Sequence, residues 1–182
     1  MEGASNIVLV GPMGAGKSAV GALLARRLDL PFVDLDASVE AEAGARIADL
    51  FRDEGEAAFR ARESALLARC LAANGQVVAT GGGAVLAASN RRQLVERGLV
   101  AWLQADPAAQ LRRLEGSRDR PLLEGTDRQA RLVALAAERD PLYGEVADFT
   151  IDTRDLDAAA VAEALASRVE GRWQLPSAAA TT

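Results

Sequence analysis

The sequence has no histidine, one cysteine, one lysine, only 4% aromatic residues and no long apolar run. Without histidine the usual general base near neutral pH is missing. Histidine-ligated metal centres and histidine-dependent nucleophile relays are excluded with it, so any proton acceptor must be a carboxylate. Cys70 cannot form an internal disulfide, and its place on an apolar helical stripe reads as core. No apolar stretch approaches the roughly 18 residues that mark a membrane span, and residues 1–6 lack the charged start and apolar run of an export signal. A cytoplasmic protein is expected. The 21 Lys and Arg residues are scattered among 26 Asp and Glu, for a net charge of −5, and form no basic stripe. That argues against nucleic acid and for a small-molecule partner. At 182 residues and 49% hydrophobic content the chain suits one domain with a proper core and has no room for a second catalytic domain.

Against this arginine-rich background the lone lysine stands out. Lys17 lies in Gly11-Pro12-Met13-Gly14-Ala15-Gly16-Lys17-Ser18, which fits G-x-x-x-x-G-K-[ST] at every fixed position. A compact ammonium on a flexible stem follows a phosphate between oxygens, whereas a planar guanidinium prefers a fixed two-pronged contact. The run Asn6-Ile7-Val8-Leu9-Val10 reads as a buried strand and 18–28 has helical spacing, giving the strand, loop, helix order such a loop requires. Its glycines let backbone N–H groups curl around an anion at a helix N-terminus. A glycine-rich turn with a stray lysine is the plainer alternative.

Strand and helix signals alternate, the pattern of a parallel sheet wrapped by helices in an α/β fold. Strands are expected near 6–10, 32–35, 76–79, 99–103 and 148–151. Helices are expected near 17–28, 37–43, 46–54, 56–73, 89–97, 106–114, 127–139 and 155–169. The polar segment 116–125, with a glycine at each end and Arg120 within, suits a hinged flap. Residues 1–170 form the expected domain, and 171–182, without apolar periodicity, a disordered tail.

Three further places suggest a site. Asp34 and Asp36 end the second strand, and i, i+2 residues of a strand share one side, so both carboxylates are expected at the carboxyl edge where open α/β sheets bind ligands. The alternative is that Asp36 merely caps a helix starting at Ala37. In 56–73, Phe59, Leu66, Leu67, Cys70 and Leu71 form an apolar arc into which Arg60 and Glu63 also fall. In 127–139, Leu132, Leu135, Ala136 and Arg139 follow i, i+3, i+4, i+7. Charges seldom enter a core unpaired, so the two arginines either reach solvent, pair with Glu63 or Glu138, or face a polar cavity, where they would suit a substrate carboxylate. After the third strand, Gly81, Gly82 and Gly83 permit backbone to approach a ligand closely.

Taken together, the 11–18 loop, Asp34-x-Asp36, Phe59-Arg60-x-x-Glu63, Gly81-Gly82-Gly83, Arg120-Pro121-Leu122-Leu123 and Arg139-x-Pro141-x-Tyr143 resemble the shikimate kinase family over about residues 6–170. The resemblance implies a P-loop nucleoside monophosphate kinase-like three-layer fold with a five-stranded parallel sheet of order 2-3-1-4-5 and helices on both faces. It implies ATP with Mg2+, and transfer of the γ-phosphate to the 3-hydroxyl of shikimate in the route to chorismate and the aromatic amino acids. By the same resemblance Lys17 bridges the β- and γ-phosphates, Ser18 ligates magnesium and Asp34 reaches it through water. Gly14, Ala15, Gly16 and Ala19 complete the nucleotide loop. Asp36 holds the substrate hydroxyls and accepts a proton, Arg60 and Arg139 hold the carboxylate, and the three glycines wall the pocket. Arg120 closes from the flap, Arg113 lies against adenine, the substrate-binding helical region spans about 34–62, and the enzyme is a monomer. Two departures stand out: Ala19 replaces a hydroxyl residue common in the family, and Asp152-Thr153-Arg154-Asp155 lacks a clear adenine contact. A gluconate kinase would share the loop and flap, but a substrate without a ring carboxylate has no evident need for both Arg60 and Arg139. A guanine switch would need a second lysine in its base-reading motif.

Overall fold

The computed structural model describes residues 5–115, 121–123 and 127–173. Five strands, β1 (Asn6–Val10), β2 (Phe32–Asp34), β3 (Val77–Ala79), β4 (Gly98–Gln104) and β5 (Phe149–Asp152), pair in parallel in the order β2-β3-β1-β4-β5. Parallel pairing requires crossovers, and the helices supply them: α1 (Lys17–Leu28), α2 (Leu35–Ala43), α3 (Ile47–Ala72), α4 (Ala88–Arg97), α5 (Pro107–Arg113), α6 (Arg128–Val146) and α7 (Ala158–Val169). Residues 121–123 form a short 3-10 turn. Among the described residues, no helix is long and apolar enough to cross a membrane.

The two faces of β1 organise the core. Ile7 and Leu9 point to a layer with Val20 and Leu24 of α1 and Val161 and Leu165 of α7. Val8 and Val10 point to the opposite layer with Leu67 and Leu71 of α3, Leu94 of α4 and Val146 of α6. Period-two alternation with both sets apolar is what a central strand covered on both faces demands. The family's sheet order and two-sided cover expected from the resemblance are those observed. A smaller cluster of Leu114, Leu123, Leu132 and Leu135 packs against Met13 of the phosphate loop.

Several boundaries differ from the sequence expectation. β2 ends at Asp34, whose carboxylate accepts a hydrogen bond from the Ala37 amide at 3.2 Å and caps α2, so Asp36 lies in the first helical turn instead of a strand. The capping acid is thus Asp34, and the strand argument for a shared side does not apply. The break expected between 54 and 56 appears as a kink at Gly55 (φ 85, ψ 165) inside α3. α6 runs seven residues past the expected end at 139, through Pro141, to Val146. Proline forfeits one helical hydrogen bond there, and the buried Leu132, Leu135, Tyr143 and Val146 on the same helix outweigh the loss. Trp173, assigned by sequence to the tail, donates its backbone N–H to Val169 at 2.8 Å and packs on the core. Residues 174–182 lie outside the described residues, as do all of 116–125 except the turn at 121–123, including Gly116, Gly125 and the expected flap arginine, Arg120. Cys70 is a free, half-buried thiol packed on the core. Burial pushes its pKa up, so it lacks thiolate reactivity.

Candidate active site

A cavity of about 780 Å³ opens at the carboxyl ends of β1, β2 and β3, which are neighbours in the sheet. The loop after β1 forms one side. Gly16, at φ 89 and ψ 15, caps α1 in a left-handed conformation that a side chain resists. Gly14, Gly16, Ser18 and Ala19 line the cavity, whereas the Ala15 side chain turns into the core. Lys17 is largely buried, with its Nζ donating at 2.8 Å to the carbonyls of both Gly11 and Pro12. The ammonium is therefore held at the mouth of the anion-binding loop.

Asp34 and Asp36 both line the cavity despite their different local structure. Arg60 and Glu63 enter it from α3, where Arg60 Nη1 donates to Glu63 Oε2 at 2.7 Å and Nη2 to Glu56 Oε1 at 3.2 Å. The Arg60 guanidinium lies 5.1 Å from the Phe59 ring centroid and 5.8 Å from that of Phe51, and these rings are 4.7 Å apart. Two carboxylates and two ring faces thus fix the fork while 20% of its side chain stays exposed to the cavity. The pairing and cavity-facing alternatives for Arg60 are both realised. Arg139, 5% exposed, reaches the cavity from α6, and its Nε has no hydrogen-bond partner. Such a buried donor is an invitation to a ligand acceptor.

The triple-glycine turn after β3 closes the remaining side. A Cβ on Gly81 would stand 2.3 Å from Glu63 Oε1 and 2.7 Å from Asp36 Oδ1, and one on Gly83 would stand 2.3 Å from the Arg60 guanidinium. Only bare backbone fits between these charged groups, which explains glycine at both ends of the turn.

Glu63 is 1% exposed, and its Oε1 has no hydrogen-bond partner. Burial raises its pKa above the ordinary range despite the opposing pull of Arg60, and the Asp36 charge adds to the rise. Its ionised form is therefore less favourable in the fold than in the unfolded chain. Below the ordinary glutamate range both states hold the proton and no cost arises. As pH rises from there through the raised folded value, the unfolded chain releases its proton first and the fold loses stability. Glu63→Gln should gain Tm relative to the natural chain across that window and level off above it, at about 2–4 °C per kcal/mol for a domain of this size. Melts of both proteins at a series of pH values check this, and a difference that stays constant with pH contradicts it.

Arg113 lines the end of the cavity near α1. Its Nη1 donates at 3.0 Å to the Gly14 carbonyl and to the Thr153 hydroxyl, and its Nη2 donates to the Thr153 carbonyl. Thr153 is buried and in turn donates to the Gln104 carbonyl at 2.8 Å. The segment in which no adenine contact was legible thus holds Arg113 in place. Sequence reasoning missed Thr153, which carries no local signal, and Phe51 and Glu56, of which only Glu56 had one, four residues before Arg60 on a helix.

Two oxygen donors that line this cavity, the Ser18 hydroxyl and the Asp34 carboxylate, are of the hard type magnesium selects. No group of three or more His, Cys, Asp or Glu side chains able to hold a metal occurs among the described residues. One hydroxyl with a nearby carboxylate fits an ion that keeps waters and shares phosphate oxygens better than an ion in a protein cage.

The family model for shikimate kinase matches residues 13–170. The chain is 47% identical over 174 residues to a shikimate kinase of Stenotrophomonas maltophilia, covering 96% of this chain and 97% of the relative. It is 49% identical over 168 residues to one of Halorhodospira halophila, covering 92% and 95%. A solved shikimate kinase from Acinetobacter baumannii in complex with shikimate superposes with a TM-score of 0.90 at 41% identity, covering 93% of this chain and 95% of that one. With the fold, the phosphate loop and the arginine-lined cavity in agreement with these likenesses, the chain belongs to the shikimate kinase family.

Proposed function

We propose that this chain transfers the γ-phosphate of ATP to the 3-hydroxyl of shikimate, with its charged cavity as the acceptor site and the 11–18 loop as the nucleotide site. The observation that carries the reading is the approach of Arg60 and Arg139 from different helices to one cavity beside that loop. A substrate carboxylate gains two forked, charge-assisted donors there, which a neutral polyol cannot use. Asp36, which lines the cavity, would orient the ring hydroxyls and take the proton of the attacking one, in a chain with no histidine to do so.

Lys17 leaves the Gly11 and Pro12 carbonyls for the β- and γ-phosphate oxygens and neutralises charge as the phosphoryl group moves. Backbone N–H groups around Gly14, Ala15, Gly16, Ser18 and Ala19 cradle the phosphates, and Arg113 packs on the base. Ser18 directly, and Asp34 through water, would hold Mg2+, which when bound screens the β- and γ-phosphate oxygens. Arg120, outside the described residues, completes the charge clamp by the family resemblance. Phosphoryl transfer needs little covalent help, so positioning and electrostatics account for the catalysis. We also place the enzyme in the cytoplasm as a monomer that acts on small molecules, in keeping with its net charge of −5 and scattered arginines.

Arg60→Lys should weaken shikimate binding by about 1.5–3 kcal/mol, the scale of a charge-assisted hydrogen bond, because an ammonium cannot form the planar fork. ATP binding should be nearly unchanged. Calorimetric titration of each ligand checks both statements, and unchanged shikimate affinity would remove the clamp role.

A further inference from the structure

The chain's single tyrosine sits outside the cavity yet reaches its wall. Tyr143 is 0% exposed, its ring lies 5.7 Å from that of Trp102, and its hydroxyl donates to the Gly82 carbonyl at 2.5 Å. Gly82 is the middle residue of the triple-glycine turn, packed between that phenol and the phosphate loop. A Cβ there would stand 3.4 Å from the Met13 amide nitrogen, 3.5 Å from the Gly11 carbonyl oxygen and 3.6 Å from the phenol oxygen. Its neighbours Gly81 and Gly83 are the residues against which Glu63, Asp36 and Arg60 press.

Three glycines in succession have no side chains to narrow their backbone choices, and the local hydrogen bonds, from Ala84 N–H to the Gly81 carbonyl at 3.1 Å and from Leu86 N–H to the Gly83 carbonyl at 3.0 Å, leave the middle carbonyl to be held from outside. The phenol holds that central carbonyl. It does so from α6, one helical turn beyond Arg139, so one helix sets both a carboxylate-binding guanidinium and the wall facing it. The continuation of α6 through Pro141 is what carries Tyr143 to that position. Burial raises the phenol's pKa, so it stays a neutral donor throughout the working pH range.

We propose that Tyr143 is a positioning residue for the acceptor: by holding the Gly82 carbonyl it pre-sets the 81–83 wall, and with it the shape of the acceptor half of the cavity. This rests on the reading of that cavity as the shikimate site. A wall free to sample other turns would reduce the bound-competent population and so the acceptor affinity. The nucleotide half, built on the loop and α1, touches the turn only at Gly11 and Met13 and should feel the change far less.

Tyr143→Phe removes one oxygen and leaves the ring packing in place. In the full chain it should raise the shikimate Kd and KM by about tenfold, the scale of one hydrogen bond to a buried carbonyl. The Mg·ATP Kd should stay within about twofold, and kcat at saturating shikimate should fall less than KM rises. Equal losses for both ligands, or a lowered Tm with both affinities intact, would make Tyr143 merely structural and overturn the inference. A natural chain that fails to bind shikimate in the same titration would instead contradict the proposed function beneath it. Should the Phe variant not fold, hydrogen exchange on the unliganded natural chain decides. Amides 82 and 83 exchanging as slowly as β3 support a wall held in advance, and fast exchange there overturns it.

Discussion

Asp36→Asn should lower kcat by about 10²–10⁴ while leaving ATP affinity intact, the range that general-base assistance supplies. The substitution keeps the size and most of the hydrogen bonding but removes the proton acceptor. Asp36 lines the cavity from the first turn of α2, and its charge is felt by Glu63 across the space where Gly81 admits no Cβ. With no histidine in the chain, a carboxylate is the group available to take the hydroxyl proton. A phosphoryl transition state can be loose, with little need for early deprotonation, and the size of the loss therefore reports how far the proton has moved. Steady-state and single-turnover rates at saturating ligands make the measurement. A loss smaller than about tenfold would reduce Asp36 to an orienting group. A second readout accompanies it: removing the Asp36 charge should lower the raised pKa of Glu63.

Lys17→Ala should cost about 10²–10³ in kcat or more, the scale on which one preorganised donor to a developing oxyanion acts. The ammonium spans two loop carbonyls at 2.8 Å, so it is poised at the site and would exchange those contacts for phosphate oxygens. Lys17→Arg should fall nearly as far. It keeps the charge, but its broad planar fork does not fit between the Gly11 and Pro12 carbonyls or follow the phosphoryl group along its path. ATP titration and single-turnover kinetics on both variants separate binding from chemistry. An Arg variant within about tenfold of the natural rate would mean that charge alone suffices at this position.

Much of the fold was legible because its signals are local. The apolar run of β1, the loop pattern after it and the glycine at 55 each mark a short stretch of backbone whatever surrounds it. The misreadings arose where tertiary contacts overrode local rules. Asp36 looked like a strand residue because β-branched and apolar neighbours precede it. The helix starts earlier because Asp34 has an amide to cap. The expected end of α6 is residue 139, but the buried ring of Tyr143 and the methyls of Val146 reward its continuation. Trp173 lacked any periodic partner in sequence and found one in the α7 layer.

The site divides along the same line. The residue types that carry chemistry could be picked out, since charge inside an apolar arc marks Arg60, Glu63 and Arg139 without any structure. What those groups touch could not be. The Phe51 ring behind Arg60 lies nine residues away, while the Thr153 anchor of Arg113 and the Tyr143 hold on Gly82 join residues 40 and 61 apart, and no spacing rule encodes them. The unpartnered Arg139 Nε and Glu63 Oε1 are likewise properties of the folded cavity alone.

The most direct measurement is the product formed from ATP, Mg2+ and a panel of acceptors, followed by ADP release and phosphorus NMR. Shikimate should give one 3-phosphate ester per ADP. A shikimate analogue whose carboxylate is replaced by an alcohol should fall about 10²–10⁴-fold lower in kcat/KM, the combined worth of two charge-assisted arginine contacts. Comparable turnover of the carboxylate-free analogue, or none with shikimate, would contradict the assignment of Arg60 and Arg139 as the acceptor's carboxylate clamp and with it the proposed reaction.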